Sequence, residues 1–184
     1  MTTTDAIELL KKHIRNIPDF PKPGILFRDI TPILENPQVA KILLQLLKDK
    51  VKTLDFDGIA GIESRGFIFG QALALELGLP FYLIRKKGKL PAQTFQADYE
   101  LEYGAATIEV HQGSIPKNKR ILIHDDLLAT GGTASAAASL VRQSQAEVVG
   151  YLFIIYITAL KGAEKLKELN PNLDKNSVFS IIEY

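Results

Sequence analysis

Apolar positions recur along the chain with two different periods, and the alternation between them sets out the elements. Between Asp5 and Asn16, Ile7, Leu10 and Ile14 fall at helical spacing and predict a short amphipathic helix. Val39, Ile42, Leu43, Leu46 and Leu47 form one stripe with Lys41, Gln45, Lys48 and Asp49 opposite, a helix covering a sheet. Thr31-Pro32 and Asn36-Pro37 each place a capping side chain before a proline and predict helix starts. Short apolar runs predict strands over 57–62, 81–84, 121–123 and 148–156, with a last run over 178–182 at a sheet edge. Helical segments follow the first and third of these, one running to the stop signal Gly78-Leu79-Pro80, the other over the alanine-rich 134–145; a short helix spans 161–169. Such alternation, with short crossovers, predicts one α/β domain over 1–184: a central parallel twisted sheet flanked by helices.

Two stretches break the pattern. Residues 17–32 hold four prolines and a glycine, which predicts irregular structure over most of that length, and an ordered loop this long is usually functional. From Thr94 to His111 the chain turns polar and aromatic, with two alternating runs about Gly104, which predicts a β-hairpin standing off the sheet. A hairpin of this kind can close as a lid and exclude water from a hydrolysable intermediate.

Composition adds exclusions. The chain is 46% hydrophobic and 23% charged, with 22 Lys+Arg against 21 Asp+Glu, so a net charge of +1 gives no global field toward nucleic acid or membrane. There is no cysteine, hence no disulfide framework or thiolate chemistry; with no signal-peptide pattern at the amino terminus, a cytoplasmic location is expected. The uncharged stretch 148–160 is shorter than the roughly 20 residues that span a bilayer. Against this neutral background Arg85-Lys86-Lys87-Gly88-Lys89 stands out, four cations at a carboxyl strand end, whose expected partner is a polyanion.

The densest chemistry lies in Arg120-Ile-Leu-Ile-His-Asp-Asp-Leu-Leu-Ala-Thr-Gly-Gly-Thr133. The adjacent carboxylates Asp125 and Asp126 follow the predicted strand, and Ala129, Thr130, Gly131, Gly132 and Thr133 lead into the alanine-rich helix. Glycines at a helix start let backbone N–H groups approach an anion, and the threonines add hydroxyls, a phosphate cradle in outline. The carboxylate pair would repel an anion unless it faced a diol, a developing positive charge or a metal, and a ribose phosphate offers all three. His124 is expected to be a hydrogen-bonded core histidine, and no catalytic histidine is assigned.

Residues 125–133 resemble the phosphoribosyl pyrophosphate (PRPP) loop of the type I phosphoribosyltransferases, in the form carried by the adenine phosphoribosyltransferase family. The resemblance extends over essentially the whole chain. It implies that residues 129–133 hold the 5′-phosphate of PRPP or AMP, and that Asp125 and Asp126 hold the ribose hydroxyls and balance charge at an oxocarbenium-like centre. Pro-x-Pro-Gly-x-x-Phe-Arg-Asp-Ile-Thr in residues 21–31 is similar to the family's hood over the base, taken as 1–34; by that likeness Phe27 stacks on adenine while the main chain near Leu26 and Arg28 reads its edge. Glu63, Ser64 and Arg65 correspond to a turn that meets pyrophosphate and base, with a surface cation the plainer alternative for Arg65. Arg85, Lys86 and Lys89 match pyrophosphate-contacting positions. Leu101-Glu-Tyr-Gly104 matches a lid motif within 90–113, implying Glu102 as catalytic carboxylate and Tyr103 as a closing aromatic. The resemblance further implies Mg²⁺ held mainly through the PRPP pyrophosphate with no direct protein ligand, a homodimer, and salvage of adenine and PRPP to AMP and pyrophosphate. A 6-oxopurine or xanthine phosphoribosyltransferase is one rival, and Ala129 argues against it, because the 6-oxopurine enzymes resemble a loop with a carboxylate there. A non-catalytic PRPP-sensing regulator is the other, for which the near-neutral chain has no nucleic-acid-binding extension.

Overall fold

The computed structural model describes residues 1–100, 105–171, 173–174 and 177–184. The chain forms two compact units, Met1–Asp49 and Lys50–Tyr184.

In the first unit, α1 (Thr3–Lys12) starts at a reciprocal cap: Thr2 Oγ1 accepts from the Asp5 N–H at 3.1 Å, and the Asp5 carboxylate accepts from the Thr2 N–H at 2.9 Å. It buries Ala6 and Leu10. The proline-rich stretch is more regular than expected. β1 (Arg15–Pro18) and β2 (Leu26–Asp29) form an antiparallel ladder from Arg15↔Asp29 to Pro18↔Leu26. The prolines permit this because Pro18 stands at a strand end, where a missing N–H breaks no ladder bond, and Pro21 and Pro23 fall in the connection. The α2 start also differs. Thr31 is the first residue of α2 (Thr31–Leu34) rather than its cap, and Asp29 supplies the acceptor, taking the Thr31 N–H at 3.0 Å and its hydroxyl at 2.8 Å. At α3 (Pro37–Val51) the expected cap is present: Asn36 Oδ1 accepts from Gln38 and Val39 N–H groups at 3.2 and 3.3 Å. Val39, Leu43, Leu47 and Val51 form its buried stripe.

The second unit is a seven-stranded sheet in the order β5-β6-β4-β3-β7-β8-β9. In chain order it contains β3 (Gly58–Ile62), α4 (Arg65–Leu77), β4 (Phe81–Lys86), β5 (Thr94–Glu100), β6 (Ala105–His111), β7 (Arg120–Leu128), α5 (Gly132–Gln143), β8 (Glu147–Tyr156), α6 (Gly162–Glu168) and β9 (Val178–Glu183). The five strands β4-β3-β7-β8-β9 run parallel, and β5 and β6 add an antiparallel edge. Central strands are apolar on both faces, as β3 shows with all five residues buried. The ring of Phe81 lies over glycines: a Cβ at Gly61 or Gly70 would come within 2.2 or 2.7 Å of it, so both positions must be bare for α4 to pack on the sheet.

Two elements depart from expectation. The 94–111 segment is a hairpin-forming strand pair, but its base joins the sheet through the pairs Arg85↔Glu109 and Lys86↔Ile108 rather than standing off it. An antiparallel strand can be added to a parallel edge without a crossover helix, and Phe95, Ala97 and Tyr99 pack on the core as β5 lies against α5. Its tip, with Glu102 and Tyr103, lies outside the described residues. The third central strand, expected over 121–123, extends to Leu128, because the ten-residue β8 keeps pairing with it as far as Leu128↔Tyr156. Asp125 and Asp126 therefore lie on β7 itself, not in the loop after it.

Candidate active site

The polar residues of the second unit gather at the carboxyl ends of β3, β4 and β7, where open α/β sheets bind ligands. β3 stops pairing with β7 at Gly61↔His124, so the next two residues of β7 rise past their neighbour. Asp125 Oδ1 accepts from the Asp126 N–H at 2.8 Å, and Asp126, only 4% exposed, meets Arg65 with Nε–Oδ2 at 2.9 Å. That contact is ionic without hydrogen-bond alignment, so Asp126 Oδ2 is a buried oxygen with no hydrogen-bond donor among the described residues. Burial pushes the Asp125 carboxyl well above the usual range, with the neighbouring Asp126 charge adding to it. Burial also raises Asp126, and the Arg65 guanidinium opposes that rise. The pair is thus an acidic site only partly compensated by Arg65, suited to hydroxyl donors or positive charge.

Arg65 opens α4, and the helix comes this close to β7 only because residue 66 has no side chain. A Cβ on Gly66 would stand 2.8 Å from the His124 carbonyl and 2.9 Å from Asp125 Oδ1. Beneath the acidic pair, His124 is fully buried with Nδ1 2.8 Å from the Leu152 carbonyl, and burial lowers its pKa to about 4, so it is a neutral core residue as expected.

After β7 the chain turns through residues 129–131 into α5. A half-open cavity of about 160 Å³ is lined here by Asp125, residues 127–134 and Phe153. Ala129, Thr130, Gly131, Gly132 and Thr133 all line it, which unites the proposed cradle around one space. Gly131 has φ +80°, and a Cβ there would lie 2.9 Å from the Gly162 carbonyl oxygen; a Cβ on Gly162 would in turn lie 2.2 Å from the Ala129 carbonyl oxygen. The loop is locked backbone against backbone. At the start of α5 the first-turn N–H groups have no helical acceptors, an arrangement suited to an anion.

Across β3, the cationic cluster is organised by carboxylates. Arg85 grips Glu63 with two bonds of 3.2 Å, Nε to Oε2 and Nη2 to Oε1, and Glu63 Oε2 also accepts the Lys86 N–H at 3.0 Å. Burial raises the Glu63 pKa, but these donors outweigh it and hold the carboxyl below its ordinary value. Arg85 is therefore engaged by Glu63, whereas Lys86 and Lys89 are exposed. Ser64 precedes α4 without a side-chain capping bond.

The residues that the resemblance assigns to the base belong to the first unit. Leu26, Phe27 and Arg28 lie on β2; the Phe27 ring meets Phe20 edge-on at 5.1 Å, and an Arg28 guanidinium nitrogen donates to Asn16 Oδ1. One residue that the sequence reading passed over is Glu109, a buried carboxylate on β6. Its signal was a charge inside the apolar run Ile108-Glu109-Val110.

Residues 29–182 match the family model described as phosphoribosyl transferase domain. A relative from Sorangium cellulosum named adenine phosphoribosyltransferase is 51% identical over 179 residues, 97% of this chain and 88% of that protein. The chain belongs to the adenine phosphoribosyltransferase family. A second such relative, from Vibrio cholerae, is 46% identical over 99% of this chain and 98% of its own length. The crystal structure of adenine phosphoribosyltransferase from Rhodothermus marinus superposes with a TM-score of 0.88 at 44% identity, covering 98% of this chain and 99% of that one. The enzyme from Saccharomyces cerevisiae, solved with an iminoaltritol bisphosphate and adenine, gives 0.86 at 39% identity over 97% and 99%. Fold and family thus agree with the resemblance carried by residues 125–133.

Proposed function

We propose that the chain transfers the phosphoribosyl group of PRPP to adenine, giving AMP and pyrophosphate. One observation carries this: a glycine-rich cradle at a helix start, a largely buried acidic pair and a cationic loop lie at the carboxyl ends of β7, β3 and β4 in a chain whose relatives are named for this reaction. In the reaction the bond from ribose C1 to the pyrophosphate oxygen breaks, adenine N9 bonds to C1, and the N9 proton leaves.

Each group has a task that its environment suits. Residues 129–133 hold the 5′-phosphate through backbone N–H groups and threonine hydroxyls, which fixes the ribose. Asp125 and Asp126 accept from the ribose hydroxyls and face the cation developing at C1, so their destabilising burial in the free chain becomes stabilisation of the transition state. Lys86 and Lys89 meet the departing pyrophosphate. By the family resemblance Glu102 manages the proton of the base and Tyr103 is the closing aromatic, both outside the described residues, and Phe27 stacks on adenine while the main chain at Leu26 and Arg28 reads its edge. Arg65 and Ser64 border base and pyrophosphate.

Mg²⁺ fits as a substrate-borne ion. A hard divalent cation carried by PRPP would draw its ligands from pyrophosphate oxygens, water and at most the acidic pair. Bound there, it would neutralise leaving-group charge.

The working assembly is a homodimer in the cytoplasm. Ile68 and Leu75 on α4 and Leu83 on β4 are 43, 71 and 43% exposed, apolar surface that a second copy would cover. Sedimentation at micromolar concentration is expected to give twice 20.4 kDa, and a species of 20.4 kDa would contradict the dimer. No helix among the described residues is long and apolar enough to cross a membrane. Assay of adenine beside hypoxanthine, guanine and xanthine tests the substrate: adenine alone is expected to give nucleotide, and a preferred 6-oxopurine would overturn the assignment.

A further inference from the structure

Glu109 is an ionisable residue in the middle of a buried strand, and the reaction as described gives it nothing to do. It is 3% exposed between the buried Ile108 and Val110. Its Oε1 accepts from the N–H groups of Lys89 and Leu90, each at 3.0 Å, and its Oε2 accepts from the Thr94 hydroxyl at 3.2 Å. Burial raises its pKa, yet hydrogen bonds from Leu90, Lys89, Thr94 and Gly88 outweigh burial and keep the carboxyl below its ordinary value, hence ionised. A buried charge is costly unless it is hydrogen-bonded, and here Oε1 is spent on the turn between β4 and β5 and Oε2 on the first residue of β5.

That turn carries the cationic cluster. Beside Gly88, whose φ is +80°, the N–H groups of Lys89 and Leu90 converge on Glu109 Oε1 in a concavity of the kind that binds anions. Glu109 already occupies it from inside the protein. An incoming pyrophosphate is therefore met by lysine side chains and not by the N–H groups of this turn. Glu63 secures the other end through Arg85 and the Lys86 N–H, and Arg85 Nη1 donates to the Lys89 carbonyl at 3.1 Å. Two carboxylates, Glu63 just past the end of β3 and Glu109 on β6, thus fix residues 85–90 while Lys86 and Lys89 stay exposed.

We propose that Glu109 is a positioning residue for the transfer reaction: by filling the concavity of residues 88–90 it holds the turn in the one shape that presents Lys86 and Lys89 to the pyrophosphate of PRPP. This rests on the proposed role of those lysines as pyrophosphate ligands.

Reach and charge can be separated by two substitutions. Glu109→Asp keeps the charge but withdraws the oxygens by one carbon–carbon bond, about 1.5 Å, which breaks the bonds to Lys89 and Leu90. The KM for PRPP is expected to rise on the order of tenfold or more, with the KM for adenine and kcat at saturating PRPP little changed. Glu109→Gln keeps an acceptor oxygen at the same reach, and its KM for PRPP is expected to stay within about threefold of the parent. If Gln is as damaging as Asp, or if both variants lower the melting temperature with no change in KM for PRPP, the proposal is overturned. Lys86→Ala and Lys89→Ala are measured alongside. A normal KM for PRPP in the lysine variants removes the pyrophosphate reading and the proposal with it; weakened lysine variants beside a normal Glu109→Asp remove the proposal alone. Should Glu109→Asp not fold, Gly88→Ala perturbs the same concavity from the other side, since its Cβ meets nothing within 4 Å while φ +80° is disfavoured for alanine. A raised KM for PRPP supports the proposal, and an unchanged one overturns it.

Discussion

Substituting Gly131 by alanine tests whether the cradle depends on its backbone lock. Two costs combine at this position. At φ +80° an L residue loses about 1–2 kcal/mol relative to glycine. In addition the new Cβ would sit 2.9 Å from the Gly162 carbonyl oxygen and 3.4 Å from its Cα, both backbone atoms that cannot rotate away. A further ~1 kcal/mol of displacement is a reasonable order for such overpacking, for a total of about 2–3 kcal/mol. For a chain of this size that corresponds to a fall in melting temperature of roughly 4–12 °C. The loop must shift to relieve the contact, so the KM for PRPP should rise at least about tenfold while adenine binding is spared. Gly113→Ala is the control, because Gly113 shares the positive φ, +78°, but a Cβ there meets nothing within 4 Å. It should show the conformational cost alone and unaltered catalysis. Thermal melts with separate titrations of PRPP and adenine give all four quantities. Equal behaviour of the two variants would refute the lock, and equal loss of both substrates in Gly131→Ala would refute a phosphate cradle at residues 129–133.

Asp125→Asn should lower kcat by about 10²-fold or more yet raise stability at neutral pH, because it removes a carboxylate that burial disfavours. The sign is fixed by linkage: with the folded pKa raised above 3.8, the parent's stability falls as pH climbs from 3.8 through the raised value, and the Asn variant lacks this loss. Paired melts and turnover check it, and undiminished turnover would contradict the role. His124 titrates oppositely. Its pKa falls from 6.5 to about 4, so its own contribution to stability should drop by roughly 3 kcal/mol as pH falls through that window; in the Asp125→Asn background, where the main opposing carboxylate is gone, a urea midpoint equal at pH 7 and pH 4.5 would exclude it. Glu102→Ala should slow single-turnover AMP formation by about 10²-fold or more while direct titration shows PRPP binding little changed; unimpaired chemistry would move the catalytic carboxylate elsewhere.

What the sequence disclosed, and what it withheld, follows from the range of the interactions. Strand, loop and helix around residues 120–145 were legible because glycines, threonines and paired carboxylates are local signals, and the cap at Asn36 was legible for the same reason. The ladder Arg15–Pro18 with Leu26–Asp29 was obscured because proline counts say nothing about which prolines fall in the turn. The extension of β7 through both aspartates depends on the length of β8, some thirty residues on, and the docking of the hairpin base depends on two rungs to β4. Hardest to see were the requirements for bareness at Gly61, Gly66 and Gly162, since each is set by an atom distant in sequence. The Glu63–Arg85 clasp is of that kind too, because only the register of β3 beside β4 brings the carboxylate to the guanidinium.

The most direct measurement is incubation of the purified chain with adenine, PRPP and Mg²⁺, followed by quantitation of AMP and pyrophosphate. Formation of both in equal amounts, dependent on each component and lost in the Asp125→Asn variant, is the expected result. Release of pyrophosphate without AMP, or no turnover of adenine where another base is ribosylated, would contradict the assignment of these strand-end groups to adenine phosphoribosyl transfer.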